Sequence, residues 1–340
     1  MALPIHTVLG HIAPEELGRT SMHEHVFIDA RVWCTPPQEP MPEDTSISLE
    51  NHGFLRWNLD SFEHNLVLDD EHVAIKEVTS VAAAGGSAIL DVTNIGLGRD
   101  VRKLSAVARA SGVHIMTASG CYIHDSHPSW VAEMSVEELA ALFTSELTDG
   151  IDGTGITSAL LGEIGTSDPV TDREFKVLAA AAAAGAQTGA SVSVHLDPRG
   201  THGVAVLEYL VALGMQPERV ILGHVDEHLD EGYHRDMLAT GATLAYDTFG
   251  SDYCHSGQFQ DPSDSQRLDM LVPLLEDGFA DQLVLACDVW TKINLRTYGG
   301  MGYDHLFKRV VPMMRDYRGV DVAVIDQMLI ANPRRLLNRP

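Results

Sequence analysis

Eight short apolar runs, each followed by a stretch of helical length, limit what this chain can fold into more than any other feature. The runs cover 20–28, 87–93 (SAILDVT), 113–118, 158–164 (SALLGEI), 190–196 (ASVSVHL), 219–225 (RVILGHV), 242–247 (ATLAYD) and 282–288 (QLVLACD). Most are rich in Val, Ile and Leu, the composition of strands covered on both faces. Between them the spacing predicts helices over 68–84, 100–110, 130–148, 172–188, 204–213, 231–240 and 264–277, and two more over 305–315 and 322–337 finish the chain. Strand–helix alternation implies parallel strands joined by right-handed crossovers. Eight such units close into a (β/α)8 TIM barrel, for which 340 residues is an ordinary length. The alternative is an open, doubly wound α/β sheet, but no glycine-rich phosphate turn follows an early strand.

The expectation is a single barrel domain over 1–340, with a short N-terminal hairpin in about 1–18 and a long loop over about 31–65. That loop holds Cys34, Pro36, Pro37 and the aromatics Phe54, Trp57 and Phe62. It is too long for a plain connection and reads as a functional loop or cap. A formal charge of −25 argues against nucleic acid and anionic membrane as partners. The four cysteines are scattered, so neither a disulfide framework nor a thiolate zinc site is expected, and a reducing cytoplasm is the natural compartment. No apolar run is long enough for a membrane span, and no secretory leader opens the chain.

In such a barrel the active site lies at the C-terminal ends of the strands. The first strand carries His23 and His25, whose side chains share a face because strand residues alternate. With 17 histidines in the chain, one His-x-His pair means little alone. The later strand ends change that: Glu163 closes the fourth, His195 the fifth, His224 the sixth and Asp288 the eighth. Four imidazoles and two carboxylates exceed what one catalytic zinc uses, and they suit two divalent ions. Glu163, with two oxygens, is the candidate bridge.

These residues, in this order, resemble the phosphotriesterase-like branch of the amidohydrolase superfamily along almost the whole chain. Gly18-Arg19-Thr20-Ser21-Met22-His23-Glu24-His25 is similar to its opening signature. Gly162-Glu163-Ile164-Gly165-Thr166-Ser167, Val194-His195, Gly223-His224-Val225-Asp226 and Asp288 follow in turn. Asp288-Val289-Trp290-Thr291-Lys292 and Gly299-Gly300-Met301-Gly302-Tyr303-Asp304-His305 resemble the phosphotriesterase-homology and phosphotriesterase-related subgroup in particular. The resemblance implies a metal-dependent hydrolase. His23, His25 and Asp288 would hold the more buried metal, His195 and His224 the more exposed one, and Glu163 would bridge. No lysine stands near the fourth strand, so the carboxylated lysine of founding phosphotriesterases and lactonases is replaced here by a glutamate. The resemblance also suggests a homodimer.

Two dications would turn a bridging water into hydroxide near neutral pH, for attack on a small amide, ester or lactone carbonyl. Asp288 would pass the proton to the leaving group. Set against Glu163, Asp288 and hydroxide, the ions leave one net positive charge, which favours an anionic small-molecule substrate. Zinc is the expected ion, with manganese, cobalt and iron as alternatives. Tyr122, Arg199, Trp290 and Lys292 follow strand ends and are the candidate substrate contacts. Tyr122 and Trp290 serve equally well as packing aromatics, and Lys292 as a salt-bridge partner. Asp91 and Asp226 are expected to orient histidines. The loop histidines His124, His127, His228 and His255 receive no role. A phosphoester hydrolase of the same family, or a metal-stabilised ligand-binding protein with little turnover, is the alternative.

Overall fold

The computed structural model describes residues 3–339. Its central sheet has eight parallel strands: β1 (Thr20–Glu24), β2 (Ala88–Asp91), β3 (His114–Ser119), β4 (Leu160–Thr166), β5 (Val192–Leu196), β6 (Val220–Leu222), β7 (Thr243–Tyr246) and β8 (Leu283–Leu285). They pair in sequence order, each beside the next. The sheet curls until its two edges meet. Asp288 donates its N–H to the His23 carbonyl at 3.2 Å, and His25 donates to the Val289 carbonyl at 3.2 Å. The result is the (β/α)8 TIM barrel that the alternation predicts.

The helices form where the sequence spaces apolar residues for a single buried face and supplies a cap. α1 (Glu71–Ala83) starts at Asp70, whose carboxylate accepts the His72 and Val73 N–H groups. The helix Asp172–Thr188 opens with a capping box between Thr171 and Glu174 and ends on Gly189 in the left-handed conformation. Ala180, Ala181, Ala182 and Ala184 of this helix face the barrel at 0% exposure. The predicted helix 130–148 is two helices, Ser129–Glu133 and Val136–Thr148, because Ser135 caps the second one with Glu138 and so breaks the first. An antiparallel hairpin of Ile5–Thr7 and Gly10–Ile12 precedes the barrel. The stretch 31–65 holds a short helix, His52–Trp57, and rejoins the barrel through a pairing of Ile28 and Asp29 with Val67 and Leu68. No helix among the described residues is long and apolar enough to cross a membrane.

Two of the strands are irregular where candidate ligands stand. Between Ser21 and Glu24, β1 carries one residue more than β2 opposite, and between Leu161 and Ile164, β4 carries one more than β5. Such an extra residue re-aims side chains locally. At β4 it requires Gly162, which has φ +143° and would place a Cβ 2.7 Å from the Ser193 carbonyl oxygen. Gly162→Ala should therefore cost about 1–3 kcal/mol of stability from the backbone clash, read as a lower urea midpoint with an unchanged slope. An unchanged midpoint would show that β4 can do without the irregularity.

Candidate metal centre

Six side chains converge at the C-terminal mouth of the barrel. Glu163 reaches all four histidines: His25 Nε2 lies 3.3 Å from Oε1, and His23 Nε2, His195 Nδ1 and His224 Nε2 lie 3.5, 3.4 and 3.6 Å from Oε2. Asp288 Oδ1 is 3.3 Å from His25 Nε2 and 3.6 Å from His23 Nε2. Ligand atoms of five of the six form two overlapping groups, His23–His25–Asp288 and His23–Glu163–His224, and His195 stands outside both. Every one of the six residues is buried.

Their positions differ in detail from a simple list of strand ends. Glu163 lies inside β4, which runs on to Thr166, and only the extra residue turns it inward. His224 and Asp288 stand beyond the last paired residues of β6 and β8, in left-handed backbone with φ +58° and +46°. A non-glycine residue costs about 1–2 kcal/mol there, so something must hold each one. His224 donates its N–H to Asp247 Oδ1 at 2.9 Å. Asp288 is held from both sides by Glu24, whose carboxylate accepts the N–H groups of Cys287 at 3.1 Å and Val289 at 3.0 Å.

Asp247 is the orienting group that the sequence reading missed. Its two oxygens lie 3.0 Å from His23 Nδ1 and 3.2 Å from His224 Nδ1, which leaves both Nε2 atoms facing the centre. The signal was available, since ATLAYD ends its strand on an acid. Asp226 and Asp91 act one step further back than expected. Asp226 accepts the Asp247 N–H at 3.2 Å and pairs with buried Arg267 at 3.1 Å. Asp91 binds the Val26 and Thr93 N–H groups, and it is the Thr93 hydroxyl that meets His25 Nδ1 at 2.8 Å.

The donor set fits divalent metal. Imidazole nitrogen with carboxylate oxygen suits zinc and its neighbours. His23 Nε2, Glu163 Oε2 and Asp288 Oδ1 are buried with no hydrogen-bond partner, a costly state for polar atoms unless an ion takes them up. Electrostatics point the same way. Burial alone would lower His25, yet Asp288 and Glu163 push it up to about 10. Burial likewise opposes ionisation of Glu163, yet the surrounding histidines hold it well below the usual carboxylate range. The cluster thus keeps Glu163 ionised and draws in positive charge.

The centre floors a pocket with two unlike walls. Ile28, Ala30, Trp33 and Leu97 form an apolar side, and Asp197, Arg199, Glu227, His255 and Gln258 a polar one. Tyr122 and Trp290 also line it. The Tyr122 hydroxyl sits 3.2 Å from His195 Nδ1 and accepts from Trp33 Nε1 at 3.2 Å. Burial raises its pKa well above that of free tyrosine, so it stays protonated. Arg199 is held by Asp197 at 2.8 and 2.5 Å. Lys292 is not brought to this pocket. It turns away, its ammonium meets the His64 ring at 3.2 Å, and it lines a separate small hollow with Asp69 and Asp70. The first turn of the loop after β8 points it there, fixed by Asn294 Oδ1, which accepts the Thr291 N–H at 2.9 Å and the Thr291 hydroxyl at 2.7 Å.

The model of the phosphotriesterase family matches residues 3–337. The N-acetyltaurine hydrolase of Xenopus tropicalis is 35% identical over 340 residues, with 98% of this chain and 97% of that protein covered. A resiniferatoxin-binding protein from Rhodobacter sphaeroides superposes with a TM-score of 0.95 at 35% identity, over 98% of this chain and 95% of the other. The phosphotriesterase homology protein of Escherichia coli, whose structure holds phosphate in the active site, gives 0.79 at 29% identity over 95% and 99%.

The Glu24 contact makes a prediction. Glu24→Gln keeps the shape but turns one acceptor into a donor facing an N–H. Loss of such a supporting contact typically weakens metal affinity by about 10–100-fold. A chelator competition on the folded variant reads this directly, and unchanged affinity would show that Asp288 is held by other means.

Proposed function

The chain belongs to the phosphotriesterase family and is a hydrolase, and from that premise we propose that it uses two divalent ions to cleave a small anionic amide, an N-acylated amino sulfonate or amino acid. The observation that carries this reading is Glu163, a single carboxylate within 3.6 Å of four imidazoles. A carboxylate so placed is suited to be shared between two ions. The relatives named for N-acetyltaurine support an amide as the bond and a sulfonate as the charge. Ester and lactone carbonyls present the same electrophile and belong to the same reading.

His23, His25 and Asp288 would hold one ion, His195 and His224 the other, and Glu163 both. Zinc is the ion we favour. When bound, the ions would supply Lewis acidity and a water acidic enough to attack near neutral pH.

The chain's own groups do the rest. Asp288 Oδ1 has no hydrogen-bond partner among the described residues. It can take the proton of the attacking water and return it to the departing amine nitrogen. Its backbone is pinned by Glu24 and by the His23 carbonyl, so the acceptor oxygen does not swing away between those two transfers. The protonated Tyr122 hydroxyl, fixed beside His195, can donate to the carbonyl oxygen as negative charge grows on it. Arg199 can take the substrate's acidic end, and Trp290 and Trp33 flank the acyl group and exclude water.

Phosphoester cleavage is the second reading, favoured by the phosphate in the Escherichia coli neighbour. Metal analysis after growth in added zinc should give about two equivalents per chain. The loaded protein should release acetate from N-acetyltaurine, and His195→Ala and Asp288→Asn should each lower kcat/KM on the order of a thousandfold. Turnover of phosphate esters with amides untouched would favour the second reading. Full metal occupancy with neither activity would favour ligand binding without turnover, and metal-free protein would sink both hydrolytic readings.

A further inference from the structure

Among the described histidines outside the centre, His255 lines the same pocket and is held in a way the chemistry above does not use. It sits on a small hairpin, Cys254–His255 paired with Phe259–Gln260, in the loop that follows β7. Its Nε2 meets Asp261 Oδ1 at 3.1 Å. Asp261 is fully buried and further fixed by the Ser251 hydroxyl at 2.5 Å and the Tyr253 N–H at 3.2 Å. The His255 ring lies nearly parallel to Trp290, with an interplanar angle of 13°. One edge of the imidazole is thus committed to a buried carboxylate and one face to an indole. The other nitrogen, Nδ1, has no hydrogen-bond partner among the described residues, and 22% of the side chain is exposed.

Arg199 is built on the same plan from the other side. Asp197, buried behind it, takes Nε and Nη2, and Nη1 extends towards Gln258 Oε1 at 3.5 Å. Gln258 in turn donates its N–H to the His255 carbonyl at 2.8 Å, so one tight turn links the partner of the guanidinium to the residue that carries the imidazole. Each cation has a buried carboxylate behind it and a free donor edge in front. The pairs are electrically neutral as they stand, so the pocket needs no counter-ion when empty. What they offer a ligand is oriented N–H donors, which bind an anion through charge-assisted hydrogen bonds.

The surroundings are consistent with a donor at His255. The acids that face it are Asp261, Glu227 and Asp60. Burial lowers its pKa, but the Asp261 contact and these acids raise it to about 9. Burial and the neighbouring Asp261 push the Glu227 carboxyl up. Asp60 is occupied by the Thr35 and Ser256 hydroxyls.

We propose that His255 and Arg199 together form the subsite for the substrate's acidic group, a sulfonate or carboxylate, and that His255 is a specificity-determining residue of the amide hydrolysis proposed above, on which this inference rests. The acidic group sits at the turn between loops five and seven while the scissile carbonyl reaches the six-residue cluster. An amide without the charge leaves two oriented donors unmatched and is rejected for that reason.

The test uses ligands that cannot turn over. In the methyl-ketone isosteres of N-acetyltaurine, N-acetyl-β-alanine and N-ethylacetamide, a methylene replaces the amide NH. Calorimetry on the zinc-loaded wild type should find both anions bound at least about tenfold more tightly than the neutral ketone. The sulfonate and carboxylate arms show which acid is preferred. His255→Gln should remove most of that advantage and leave the neutral ketone within about twofold. Arg199→Gln, at a half-exposed side chain, should do the same if the first variant fails to fold. Anion preference that persists in either folded, metal-loaded variant overturns the subsite, as does a wild type without preference. Turnover of N-acetyltaurine is measured separately. Binding preference without hydrolysis defeats the hydrolase reading alone, whereas equal hydrolysis of all three parent amides defeats the subsite alone.

Discussion

The seam between the first and last strands is stitched by Glu24, and the geometry of the mouth follows from that stitch. A carboxylate with no exposure would normally be costly in a barrel wall. Here burial pushes its pKa up to about 7, and two backbone N–H groups from the segment across the seam, with the Ser21 hydroxyl at 2.6 Å, offset part of that cost. Asp288 lies between those two N–H groups. The contact that closes the barrel is therefore also the one that sets the backbone of a candidate ligand. His23 and His25 flank Glu24 in sequence, and both bond through their backbones to the same segment. Half of the six-residue cluster depends on one joint.

The other half hangs on Asp247 and on the irregularity of β4. Asp247 spans β1 and β6 by holding the Nδ1 edges of His23 and His224, and Asp226 and Arg267 support it from behind. Glu163 gains its central position from the extra residue at Gly162. A buried ring of carboxylates thus surrounds the imidazoles. Such a ring raises His23 and His25 against the pull of burial, because the neighbouring negative charge outweighs desolvation. A bound metal would satisfy the same charge more completely and take up the orphaned ligand atoms of the cluster.

Above the centre the division of labour follows the loops. The wall from the first and second strands is apolar, through Ile28, Trp33 and Leu97. The wall from the fifth to seventh strands is polar, and its cations stand in front of buried acids. A chain of strongly negative charge can therefore still present donors to an anion, because the acids that matter locally are used up in holding those donors.

The sequence by itself determined the barrel and the identity of the six converging residues. Periodic apolar runs report burial, and a parallel eight-stranded barrel places every strand end at one mouth, so His23, His25, Glu163, His195, His224 and Asp288 had to meet if the alternation was read correctly. Local pattern could not decide which supporting group holds which ligand. Asp247 rather than Asp226 reaches the imidazoles because Asp226 is taken up by the Asp247 and Thr248 N–H groups and by Arg267, and Glu163 faces inward through a register shift that alternation does not encode. Lys292 and His255 make the same point in opposite directions. Both follow strand ends, yet a tight turn sends the lysine to His64 and away from the pocket, while a hairpin anchored on buried Asp261 brings the histidine to it. Those choices depend on contacts between residues far apart in the chain, and only the folded molecule sets them.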